Sequence, residues 1–131
     1  PLADKRDYTG AEDLKGKKAG AQIGTRYLDA YKNTNVFSDV AAYDSVPDIM
    51  RDVANGRLDV GVGDFPILAY TMQQGRFPQV RLVTSYKPIV VGPVNIAVRQ
   101  GNADLLSKIN ASLAKMKVDG RLDTILKKWG L

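Results

Sequence analysis

A chain of 131 residues, 44% of them apolar and none of them cysteine or histidine, has room for one small α/β core. That composition excludes thiol nucleophiles, soft-metal centres, imidazole acid–base pairs and any Ser-His-Asp triad. The net charge of +5 arises from basic residues spread along the whole chain, which reads as a solvated surface and not as a nucleic-acid footprint.

Residues 1–16 are polar and turn-rich and read as a lead-in to the first strand, with no core expected before that strand. They carry no apolar signal-peptide core, and the longest apolar runs, such as residues 88–93, are too short to span a bilayer; an exported form would be mature or trimmed. Residues 18–23 form a short, small-residue-rich strand, and Gly24-Thr25 opens a helix with Tyr27, Leu28 and Tyr31 at helical spacing. Residues 36–43 alternate as a second strand. Ser45 then stands before Val46-Pro47-Asp48 as an N-cap with proline in the first turn. Val46, Ile49, Met50 and Val53 make the buried stripe of this helix, and Gly56 is its stop. Residues 58–64 are a third strand, followed after Pro66 by a helix carrying Ile67, Leu68 and Met72 that closes at Gly75.

Three strand–helix pairs in succession imply a doubly wound, mainly parallel sheet with right-handed crossovers. Residues 80–84 and 94–99 are two further strand candidates, the second also readable as a crossing segment. Asn102 caps a helix with Leu105, Leu106, Ile109, Leu113 and Met116 on one face, stopped by Gly120. A last amphipathic helix carries Leu122, Ile125, Leu126 and Trp129.

Open parallel sheets bind ligands beyond the carboxyl ends of their strands. At Gly24-Thr25-Arg26 a glycine lets the backbone approach a ligand, and the following amides can donate to a carboxylate. The plain alternative is a βα turn with Thr25 as N-cap. At the end of the third strand Asp64 can accept hydrogen bonds from an ammonium, and here too ordinary N-capping competes. Together the two ends make a complementary pair for a zwitterion. Gly61, Gly63 and Asp64 do not complete a dinucleotide fingerprint, and no Walker lysine motif is present. The tyrosines read as edge-of-core packing more readily than as stacking platforms.

Taken in order, residues 13–25 (DLKGKKAGAQIGT), 55–64 (NGRLDVGVGD), 95–101 (NIAVRQG) and 119–129 (DGRLDTILKKW) resemble the family 3 extracellular solute-binding proteins. That resemblance covers nearly the whole chain. It implies a type II periplasmic-binding-protein lobe that closes, with a second lobe, on an amino acid or similar small polar solute. Residues 1–94 would be the ligand-binding lobe two; residues 95–131 would be a return strand and C-terminal helices that normally complete lobe one. By the same resemblance, Thr25 and Arg26 meet the solute carboxylate beside Gly24, Asp64 meets its ammonium, and Gln22 faces its side chain. Arg26 departs from the small residue usual there, so its guanidinium would either pair with an acidic group of the solute or fill the pocket.

Most of lobe one lies upstream in the family, so the apolar faces of the last two helices are expected to fold back or to be covered by that lobe or by a second chain. The implied setting is the periplasm, or the cell exterior by a lipid anchor, with an ABC permease as partner and neither cofactor, metal nor nucleic acid. A cyclohexadienyl-dehydratase-like enzyme or an extracellular sensor domain on the same fold are the alternatives.

Overall fold

The computed structural model describes residues 1–129, and the chain separates into two compact units, Pro1–Val91 and a second that starts at Gly92. In the first, strands β1 (Lys18–Gln22), β2 (Asp39–Tyr43) and β3 (Val60–Val62) form a parallel sheet in the order β2-β1-β3. Helices α1 (Arg26–Lys32), α2 (Val46–Ala54) and α3 (Phe65–Gln73) follow β1, β2 and β3 in turn.

Strand β1 is made of small residues because it is covered on both faces. Ala19 and Ala21 are fully buried on one side with Leu28 and Tyr31 of α1 and Val40 of β2. Gly20 and Gly61 face the other side, under Ile49 of α2, where Val53 and Leu58 complete a second cluster. Alternation along the strand thus assigns odd and even positions to two different cores.

At Gly20 and Gly61 the α2 side has no room for a side chain. A Cβ at Gly61 would sit 2.5 Å from Ile49 Cγ2, and Ile49 is itself only 1% exposed. Gly61→Ala is therefore expected to destabilise the unit by about 1–3 kcal/mol through overpacking. A urea titration measures this, and a stability within ~0.5 kcal/mol of the parent would mean that α2 is free to shift outward.

Helix α2 begins as its sequence dictates. Ser45 is extended and its Oγ accepts from the Asp48 amide at 3.3 Å, Pro47 lies in the first turn, and Val46, Ile49, Met50 and Val53 are all buried. The helix closes at Asn55, and Gly56 follows in the left-handed region at φ 72°.

Three expectations are corrected. The lead-in contributes to the core: Tyr8 and Leu14 are buried, at 5% and 4% exposure, with a 3-10 turn over Ala11–Leu14. Residues 80–84 form no strand. Their neighbourhood is clipped to the N-terminal segment instead, Leu2 N–H donating to Gln79 O at 2.6 Å and Lys87 N–H to Thr9 O at 2.9 Å. The Arg81 guanidinium donates to the carbonyls of Asp4 and Arg6, and the Ser85 hydroxyl to that of Tyr8. Residues 94–99, a candidate for a strand or a crossing segment, also make no ladder: an extended segment becomes a strand only beside a partner, and none of the described residues pairs with it.

The second unit carries α4 (Ala103–Val118) and α5 (Arg121–Lys128), which contact each other. Asn102 Oδ1 accepts from the Leu105 amide at 3.3 Å, and Gly120, at φ 76°, links the helices in a conformation that a side chain resists. No described residue of either helix is buried.

Candidate functional site

Strand order β2-β1-β3 means that the chain leaves β1 toward one edge, then crosses β1 to reach the other. Connections from β1 and β3 therefore part at their carboxyl ends, which is where doubly wound sheets open a crevice. The register pairs Ala21 with Val62, so Gln22 and Gly63 are the next residues on the two strands, and residues 22–26 and Asp64 emerge side by side.

On the β1 side, Gly24 takes a left-handed φ of 73°, which turns the chain into α1. Thr25 occupies the N-cap position in extended conformation, yet its side chain caps nothing; its hydroxyl donates to Gln22 O at 2.6 Å and closes the turn. The amides of Gly24, Arg26 and Tyr27 donate to no described residue. Arg26 is exposed, and its guanidinium donates to Val91 O at 3.2 Å, with no carboxylate partner among the described residues. Gln22 is half-buried and its side-chain amide donates to Asp44 O at 3.0 Å, a bond directed at the β2–α2 connection.

On the β3 side, Asp64 holds the N-cap position of α3 and makes no capping bond either. Pro66 supplies part of the reason: it stands in the first turn of α3 and removes one of the amides that a capping aspartate would accept from. The exposed carboxylate instead accepts from the Tyr27 hydroxyl, Oη to Oδ1 2.5 Å. That bond first, and partial burial second, push the Tyr27 phenol above its ordinary pKa, with nearby Arg26 opposing.

The structure thus brings Gly24, Thr25, Arg26 and Asp64 to one end of the sheet and links its two sides through Tyr27. Gln22 shares that end, but its amide is engaged with the main chain. Tyr27 was legible in the sequence only as a helical tyrosine, and nothing in its spacing signals a bond to Asp64.

A cavity of about 340 Å³ runs along β3, lined at this end by Tyr27, Tyr31, Val62, Gly63, Phe65 and Tyr86. None of Gln22, Gly24, Thr25, Arg26 or Asp64 lines it. At this end the hydroxyls of buried Tyr31 and half-buried Tyr86 bond each other at 2.9 Å, and burial pushes both phenols up. This end of the cavity is therefore an apolar gap beside a strand edge that pairs with no described residue, and the exposed surface at the strand ends is the better candidate for a polar solute.

Residues 28–131 match the bacterial extracellular solute-binding proteins, family 3. A putative ABC transporter arginine-binding protein 2 of Escherichia coli (strain K12) is 34% identical over 125 residues, covering 93% of this chain and 51% of that protein. The L-cystine-binding protein TcyJ of the same organism is 33% identical over 127 residues, covering 91% of this chain and 44% of its own length. Among solved structures, an ancestral arginine-binding protein bound to glutamine superposes with a TM-score of 0.72 at 34% identity, over 95% of this chain and 55% of that one. The chain spans about half the length of the curated relatives it matches.

Proposed function

Because the chain belongs to the bacterial extracellular solute-binding proteins of family 3, we propose that it supplies one lobe of a binding site for an amino acid destined for ABC import. Its fold is the α/β lobe of a type II periplasmic binding protein. The observation that carries the reading is chemical: unpartnered amides after Gly24 stand beside a carboxylate, Asp64, that forgoes capping its own helix.

A zwitterion is complementary to that pair. Its α-carboxylate is received by the amides of Gly24, Arg26 and Tyr27 and by the Arg26 guanidinium, and its ammonium by Asp64. No bond is made or broken. The output is closure of two lobes around the solute, presented outside the cytoplasmic membrane to a permease. The complementary lobe supplies the remaining contacts and covers the apolar faces of α4 and α5.

Calorimetric titration of the whole protein against the twenty amino acids tests the reading. Heat of binding is expected for at least one of them, and a silent panel overturns it.

A further inference from the structure

We propose that Tyr27 is a positioning residue for Asp64, holding the carboxylate in the orientation that receives the solute ammonium; this assignment rests on the solute-binding reading above. Three observations bear on it. The half-buried Tyr27 ring packs against the buried cluster of Ala19, Ala21, Leu28, Tyr31 and Val40, so the phenol is braced on the core with its hydroxyl at the surface. That hydroxyl donates to Oδ1 of Asp64. Oδ2 accepts from no described residue, and the helix that Asp64 precedes receives no cap from it.

An exposed aspartate has two usual fates: it caps the next helix, or its side chain samples several rotamers in water. Asp64 follows neither. The capping fate is weakened by Pro66, and the rotamer freedom is removed by a hydrogen bond from an anchored donor. One carboxylate oxygen is fixed by the protein and the other is left to the ligand. A cation arriving at Oδ2 then meets an acceptor that need not be ordered first, which is the contribution of pre-organisation to affinity. Because Tyr27 is the second residue of α1, it also ties the carboxylate to the turn that bears the unpartnered amides, so both poles of the site are held in one frame.

Tyr27→Phe keeps the packed ring and removes only the donor. The test is calorimetry on the whole protein with two probes: the L-amino acid giving the largest heat in the panel, and the carboxylic acid with the same side chain and hydrogen in place of the ammonium, which has nothing to donate to Asp64. Tyr27→Phe is expected to weaken the amino acid about tenfold and the deamino acid less than about twofold. On an Asp64→Asn background the same substitution is expected to change amino-acid affinity by less than about twofold, because its effect passes through the carboxylate. Equal weakening of both probes, or an undiminished effect on that background, would identify Tyr27 as mere support for the turn and overturn the proposal. Unchanged amino-acid affinity in the single variant would also overturn it, with the solute-binding reading intact. A parent protein that binds no amino acid removes both together.

Discussion

With Asp64 receiving the ammonium as proposed, Asp64→Asn is expected to lower amino-acid affinity by at least about thirtyfold, the usual consequence of removing one member of a charge pair in a binding site. The substitution is chosen to leave the scaffold alone. Asp64 is exposed, caps no helix and makes no ion pair among the described residues, and an asparagine carbonyl still accepts from the Tyr27 hydroxyl. What disappears is the negative charge and, with the carbonyl held by Tyr27, the acceptor at the Oδ2 position. Urea denaturation is therefore expected to give a stability within ~1 kcal/mol of the parent while calorimetry registers the loss. Unaltered affinity in a protein shown to bind an amino acid would remove Asp64 from the site.

The largest expected effect on stability falls at Ile49, which is 1% exposed and lies under both β1 and β3. Ile49→Ala is expected to cost about 2–5 kcal/mol, the transfer term for the deleted carbons plus the space they leave. For a domain whose whole stability is about 5–15 kcal/mol that is a large fraction. The side chain that creates the crowding at Gly61 is also the one removed. Pairing Ile49→Ala with Gly61→Ala should accordingly cost less than the two single losses added together, since the new methyl enters the vacated space. Strict additivity in urea titrations would show that the two positions do not meet.

The βα periods were legible from the sequence because each depends on local signals. Ser45 before Val46-Pro47-Asp48, the α2 stripe and Gly56 all act within a few residues of one another, and the structure uses each in that way. Partnerships across the chain were not legible. Residues 80–84 have strand-like side chains, but their surroundings are tied to residues 2–9, a pairing between segments more than seventy residues apart that no periodicity encodes. Tyr8, whose carbonyl accepts from the Ser85 hydroxyl, lies within that association and is buried.

Candidate ligand positions divide on similar lines. Thr25 and Asp64 both stand where an N-cap belongs, and residue type alone could not decide between capping and ligand contact. Neither side chain caps in the structure. For Asp64 a clue was present, since Pro66 lacks an amide to be capped; for Thr25 the competing acceptor, Gln22 O, becomes visible only once the turn is folded.

The clip between the first nine residues and residues 79–87 has a mechanical corollary. Both segments run in the same direction, Leu2 beside Gln79 and Thr9 beside Lys87. Tension applied between Pro1 and Val91 drags them past each other lengthwise, so the bonds along the clip are loaded in shear and must yield together instead of peeling open in sequence. Stretching forces on this unit thus meet a lock, whereas a tug across the two segments meets a zipper.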